Sequence, residues 1–234
     1  MQAGKVNLNI PFFEQPALKI DLMLKSRRSG GLYLYADALY FSFQYEKAAQ
    51  QYVLVRDTKA NQKYLKDAAF GAFDSYKMLV EELIQEGKLE QKDNPIPDPA
   101  DVTPKEVTPV EPEEIPEVYL KLASAGDMLL SINPDHEQAS KIISRIAEIY
   151  YKYRHFDKAR TRYFDIIERF PKEYAARWSA SPIVNSYLIE KDYDNIAKVT
   201  SKFLDIGLFA GDPAFVDGLK ITRVGALFNK AILL

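Results

Sequence analysis

Residues 142–171, IISRIAEIYYKYRHFDKARTRYFDIIERFP, form the stretch that decides the fold of this chain. Apolar residues recur at helical spacing from Ile142 to Tyr150, and the pattern restarts after His155. The second run places on one face Phe156, Ala159, Tyr163, Ile166, Ile167 and Phe170. Pro171 ends this run because proline cannot continue an established helix. The stretch therefore predicts two consecutive helices joined by a short turn.

The order of residue types in this stretch resembles one tetratricopeptide repeat. Ala147 precedes the aromatic Tyr150 by three residues, residues 156–159 form an aromatic-acid-Lys-Ala turn, and Tyr163 and Pro171 follow. The clearest repeat spans 140–173. The resemblance implies an all-α fold, an α-solenoid of antiparallel helix pairs in which each pair stacks on the next. The texture of the sequence is similar to large, degenerate repeat proteins of bacterial envelopes.

Two further repeats are predicted. The turn motif returns as residues 45–48 within 32–57, and as residues 193–196 within 175–205. Ala159 and Ile196 are 37 residues apart, which exceeds the usual period of about 34. We expect the extra residues around 178–182, where Pro182 would interrupt the start of a helix. We also expect looser or shifted packing at Ile196, because a small residue is usual there.

The chain divides into three predicted parts. Residues 1–90 contain degenerate repeat helices, with a weak helix at 17–25 and a long one at 62–86; residues 117–234 form the main solenoid. Between them, residues 91–116 hold seven of the thirteen prolines and more acids than bases. Such a composition predicts an extended, mostly solvated linker. The alternative is a polyproline-type docking strip for another protein.

Composition excludes several classes of function. With 234 residues, a net charge of −2 and no cysteine, the chain has no general attraction to nucleic acid and no disulfide or thiolate metal site. No apolar run approaches the roughly 18 residues of a membrane span. We expect no signal peptide in this chain. The bacterial periplasm or envelope and the cytoplasm both stay open as compartments.

The resemblance implies that the first helix of each pair lines a concave side that binds a protein or peptide. Aromatic side chains with polar tips suit such a groove. The candidate partner-binding residues are Tyr33, Asp37, Tyr40, Glu148, Tyr151, Lys152, Trp178, Ser181 and Asn185. Residues 141–177 carry ten bases and five acids, a local excess of +5. A solvated face explains this excess, and the alternatives are an acidic partner or the chain's own linker folded onto the surface.

No catalytic constellation stands out, and we predict neither enzymatic activity nor a cofactor. His136 and His155 lie in predicted turns without metal-type partners, and we expect them to be exposed. The predicted function is a non-catalytic interaction scaffold. The alternative is a structural solenoid segment that assembles with other repeats or with copies of itself. Apolar residues 226–228 and 232–234 favour self-association through the C-terminal end, as in a segment cut from a longer solenoid.

Overall fold

The computed structural model describes residues 29–58, 62–97, 110–207, 209 and 211–232. Within them the chain is all-α, as predicted, with nine helices and no strand. The helices are α1 (Ser29–Phe41), α2 (Tyr45–Thr58), α3 (Gln62–Gln85), α4 (Glu117–Ile132), α5 (Ala139–Lys152), α6 (Phe156–Arg169), α7 (Tyr174–Glu190), α8 (Tyr193–Asp205) and α9 (Pro213–Ile232). The weak helix expected at 17–25 lies outside the described residues. None of the helices in the described ranges is long and apolar enough to cross a membrane.

The same turn geometry recurs wherever the predicted turn motif occurs. A residue with positive φ stands two positions before the aromatic that begins α2, α6 and α8: Phe43 (59°), Arg154 (60°) and Lys191 (58°). At the central turn, His155 N–H donates to the Tyr150 carbonyl at 2.8 Å and Arg154 N–H to the Tyr151 carbonyl at 3.0 Å. The other two turns contain the same pair of bonds. This pair defines the Schellman motif, so one local structure closes three helices.

The first compact unit comprises the described residues from 29 to 89 together with 124–134. Among its described helices, α1 contacts α2 and α3, and α2 contacts α3. Its core contains Ala36, Leu39, Ala48, Tyr52, Val55, Ala68 and Ala72. Gly71 lets the α3 backbone approach the Tyr52 ring, because a Cβ at that position would lie 2.7 Å from Tyr52 Cε1.

The second compact unit comprises the described residues of 90–123 together with those of 135–232. Helix α5 contacts α6 and α7, and each later helix contacts the next one along the chain. Large side chains that are almost fully buried fill this unit: Leu122, Ile142, Ile143, Ile146, Tyr151, Ile166, Ile183, Ile196 and Phe203. The boundary between the two units lies within α4, at residue 124.

One local expectation, about Pro182, is wrong. Helix α7 begins at Tyr174 and continues through Pro182, so the proline does not interrupt the helix start. Ala180 and Ile183 beside it are fully buried, and this packing offsets the hydrogen bond that a proline cannot make. At Ile196 the packing is shifted rather than loose. Ile196 is fully buried with Tyr193 and Ala226, so α9 supplies the small residue of this contact.

Candidate functional site

A groove on the second unit brings together five of the nine predicted partner-binding residues. These are Glu148 and Tyr151 on α5, and Trp178, Ser181 and Asn185 on α7. Residues three or four positions apart share a helical face, so each helix presents its residues in a row. The groove encloses about 300 Å³ and is also lined by Asn94, Pro95, Ile96, Ser144, Tyr163, Ala175, Ser179 and Pro182. The segment Asn94–Pro95–Ile96 of the predicted linker thus forms part of its wall.

Tyr151 is the polar contact between the groove and that segment. Its side chain is 2% exposed, and its ring packs against Phe156 and Tyr163 with centroid separations of 5.3 and 6.4 Å. The hydroxyl donates a hydrogen bond to the main-chain carbonyl of Pro95 at 3.0 Å. Burial raises the pKa of Tyr151 well above its usual value, so the hydroxyl keeps the proton that it donates.

Trp178 connects the groove to a second cavity. Its side chain is 62% exposed and stands edge-on to the Tyr174 ring, with centroids 5.7 Å apart. The second cavity encloses about 340 Å³ and is lined by Tyr174, Arg177, Trp178, Ser181, Phe209, Asp212 and Phe215. The two cavities share Trp178 and Ser181. One face of α7 therefore offers a continuous surface of aromatic and polar groups.

Both described parts of the linker, 91–97 and 110–116, lie outside helices and strands, and they meet at Glu113. The Glu113 carboxylate pairs with Lys92 from the first part, and with Arg154 Nε at 3.0 Å. Its main-chain N–H donates to the Tyr153 carbonyl at 2.9 Å. Lys92 Nζ also lies 4.8 Å from the centre of the Tyr153 ring. We call these contacts of Glu113 and Lys92 the Glu113 clamp, and they attach the linker to the turn between α5 and α6.

His155 adds to the Glu113 clamp a hydrogen bond from an uncharged imidazole ring. Its Nε2 lies 2.9 Å from the Glu113 carbonyl, which can only accept, so Nε2 carries the proton. Burial and the nearby Lys158 lower the pKa of His155, which favours the neutral ring near pH 7. The expectation of an exposed histidine is wrong here, because His155 is half-buried against the linker. The expectation is wrong for His136 as well, which is half-buried and contacts its own turn, where Nδ1 accepts from the Gln138 N–H at 3.1 Å.

The predicted residues of the first unit are engaged in contacts within that unit. Asp37 accepts a hydrogen bond from the Tyr52 hydroxyl, and the Tyr40 hydroxyl donates to Asp74, both at 2.5 Å. The Tyr33 ring stacks on Tyr64 with centroids 5.1 Å apart. Burial, followed by the charge of Asp37, raises the pKa of Tyr33 to about 12. These side chains are half-buried, and the structure places them between helices α1, α2 and α3.

Lys152 is the ninth predicted residue. It lies half-buried at the end of α5 and does not line the groove.

Arg160 makes a set of buried contacts between α6 and α7 that no sequence pattern predicts. Its guanidinium pairs with Asp157 and with Glu190 of α7, at 2.6 Å from Nη1 to Glu190 Oε2, and donates to Ser186 Oγ at 3.1 Å. It also lies 4.2 Å from the centre of the Tyr187 ring. Burial alone would lower the pKa of Arg160, but the bonds to Glu190 and Asp157 raise it. The residue therefore fastens α6 to α7, the helix that carries half of the groove.

Comparisons with protein-family models and with curated proteins give no indication of function. No protein-family model matches the chain, and a search of curated proteins finds no match. Among the described residues, no group of three or more His, Cys, Asp or Glu side chains is arranged to hold a metal ion.

Proposed function

We propose that the protein is a non-catalytic interaction scaffold whose second unit binds an extended peptide of a partner protein in the groove between α5 and α7. The observation that carries this proposal is the hydrogen bond from Tyr151 to the Pro95 carbonyl. Through that bond Tyr151 holds an extended main chain against the groove. The acceptor is a main-chain carbonyl, a group that every peptide has. The groove thus has the kind of donor that peptide recognition uses.

The remaining side chains of the groove suit the same ligand. Trp178 offers a large, exposed ring that loses little conformational entropy on binding, and Asn185 and Ser181 can pair with peptide N–H and carbonyl groups. Glu148 adds one negatively charged hydrogen-bond acceptor. The hydroxyl of Ser179 is already committed to the Ala175 carbonyl at 2.8 Å, so we assign it no nucleophilic role. We propose recognition rather than catalysis for this set.

The repeated Schellman turns support an arrangement of stacked helix pairs similar to a tetratricopeptide solenoid. In such an arrangement α5 and α7 are the first helices of neighbouring pairs, and their exposed faces lie on the concave side. The groove would then be the concave binding surface that the resemblance implies. This architecture, like the peptide ligand, is part of the proposal.

A display selection tests the proposed function. The full chain is used to select extended peptides from a random library, and the affinities of the selected peptides are then measured for Trp178→Ala, Asn185→Ala and wild type. Because truncating a central aromatic residue of an interface costs about 2 kcal/mol or more, Trp178→Ala should weaken binding at least tenfold. Ile206→Ala, which removes an exposed apolar side chain outside the groove, is the matched control. Equal affinities for all variants would refute groove binding.

A second candidate function is assembly through α9. Its apolar side chains Ile221, Val224 and Phe228 are 73%, 63% and 66% exposed and are spaced three and four residues apart on one helical face. In this candidate the face packs on a second copy of the chain. Light scattering after size-exclusion chromatography would show a wild-type dimer and a monomeric Val224→Glu, Phe228→Glu variant. A wild-type monomer at every accessible concentration would exclude this candidate.

A further inference from the structure

Residues 92–97 have the properties of a ligand held in the groove by the chain that carries it. Pro95 is half-buried and gives its carbonyl to Tyr151, whereas Ile96 is 81% exposed although it lines the groove. The segment therefore binds chiefly through its main chain and buries little apolar area. It occupies the place that an external peptide would need.

The contacts that hold this segment are weak enough to be released. The side chains of Lys92, Glu113 and Arg154 are 29%, 36% and 48% exposed. Ion pairs with such access to water contribute between nothing and about 1 kcal/mol each. One hydrogen bond to Pro95 adds a similar amount. The segment can thus leave the groove while the helices stay packed, because apolar side chains of the helices themselves, such as Ile142, Ile146 and Ile166, form the core of α5 and α6.

We propose that residues 92–97 are an internal, displaceable ligand of the groove, and that the external partner is an extended, proline-containing segment that replaces them. This inference rests on the proposed function and adds to it the class of the ligand and its regulation. The external segment would give its main-chain carbonyl to Tyr151 in the same way as Pro95. The Glu113 clamp would set how much of the time the groove is open.

We expect this competition to weaken the apparent binding of an external peptide about tenfold. A tethered ligand acts at an effective concentration of about 1 mM, and we take the Kd of the internal segment, measured as a separate peptide, as about 100 μM. The ratio of these two values lowers the apparent affinity of the external peptide by roughly a factor of ten, because only the open fraction of the groove can bind it. Opening the clamp should remove this factor.

The experiment uses the full chain and a peptide with the sequence of residues 91–97, QKDNPIP. Trp178 is the single tryptophan of the chain and lines the groove, so its fluorescence reports occupancy without a label. The release variant is Lys92→Ser, which removes the ion pair between the segment and Glu113. It leaves every groove-lining side chain in place, together with the Glu113 carboxylate that the lysine of the added peptide can contact. We expect the peptide to bind the release variant about tenfold more tightly than wild type. A peptide with the same residues in scrambled order is the control.

Two further readouts separate the internal ligand from a general loosening of the fold. Without added peptide, Trp178 of the release variant should be quenched more strongly by acrylamide, whereas the helical circular dichroism should equal that of wild type. In the release background, Tyr151→Phe should weaken peptide binding roughly threefold to tenfold, since it removes one hydrogen bond and keeps the buried ring.

Each contrary result overturns the inference. Equal affinity of wild type and release variant would show that residues 92–97 do not compete for the groove. Failure of the release variant to bind QKDNPIP would show that the segment is not a ligand of the groove. In both cases the proposed function survives if library-selected peptides still bind and still lose affinity with Trp178→Ala. It fails with the inference if no peptide responds to Trp178→Ala.

Discussion

Replacing Arg160 by methionine tests whether a buried cation fastens the groove helix α7 to α6. The side chain of Arg160 is 7% exposed and its main partner, Glu190, is 20% exposed. Methionine fills most of the aliphatic volume, so the change removes the charge and the hydrogen bonds without a large cavity. Glu190 then stays largely buried and loses its counter-charge.

The size of the effect follows from the individual contacts of Arg160. The pair with Asp157 contributes little, because that carboxylate is 95% exposed. Hydrogen bonds between charged groups contribute about 1.5–3 kcal/mol when shielded from water, and the bond to Ser186 and the contact with Tyr187 add to the bonds with Glu190. Loss of one partner from a fully buried pair costs about 3–5 kcal/mol. Discounted for the exposure of Glu190, the expected loss for Arg160→Met is about 2–4 kcal/mol.

Urea unfolding followed by Trp178 fluorescence measures this loss in the unit that contains both residues. Lys141→Met, which replaces an exposed base on α5, is the matched control and should change stability by less than about 0.5 kcal/mol. A double-mutant cycle with Glu190→Gln should give a coupling energy of about 1–2 kcal/mol. If Arg160→Met costs no more than the control, or if the cycle shows no coupling, the assigned role of Arg160 is refuted.

Three smaller changes test the turns, the tyrosines and the helix proline. Phe43→Gly should stabilise the chain by about 0.5–1 kcal/mol in thermal unfolding, because glycine adopts the φ of 59° without strain; Ser42→Gly should give no gain. Burial and the bond to Asp37 raise the pKa of Tyr52, so its contribution to stability is complete below about pH 10 and is lost as the pH rises further. Above about pH 10, the free energy of unfolding of Tyr52→Phe should therefore fall less steeply with pH than that of wild type, by about 1.4 kcal/mol per pH unit. Equal slopes of this free energy against pH, measured by urea unfolding, would contradict this. Pro182→Ala should stabilise α7 by about 1–3 kcal/mol by supplying an N–H for the Trp178 carbonyl, and a lower melting temperature would show that the ring itself is needed.

The helices and turns could be predicted from the sequence because their signals are local. The aromatic-acid-Lys-Ala turn and the period of the apolar residues lie within a few positions of each other, and α3 begins at Gln62 as expected. Five groove residues could be proposed because the resemblance to a tetratricopeptide repeat points to the first helix of each pair, and helical spacing then aligns the residues within each helix. The path of α7 through Pro182 could not, because burial of Ile183 in tertiary contacts outweighs the local preference of proline.

Contacts between distant residues account for what the sequence did not show. The bond between Tyr40 and Asp74 joins residues 34 apart, and that between Tyr151 and Pro95 joins residues 56 apart. The composition of 91–116 predicted a solvated linker because its side chains cannot form a core. Its main chain nevertheless supplies a hydrogen-bond acceptor at Pro95 and a donor at Glu113. Every residue has such main-chain groups, so the order of side chains does not predict which of them bind.

The central claim is that the groove of the second unit binds an extended peptide. A fluorescence titration of the full chain with a library-selected peptide tests it most directly, because the single tryptophan, Trp178, is 62% exposed in the groove. We predict a saturable shift of its emission to shorter wavelength, with the same Kd that calorimetry gives. A peptide that binds by calorimetry but leaves the Trp178 emission unchanged would place the binding site elsewhere and contradict the claim.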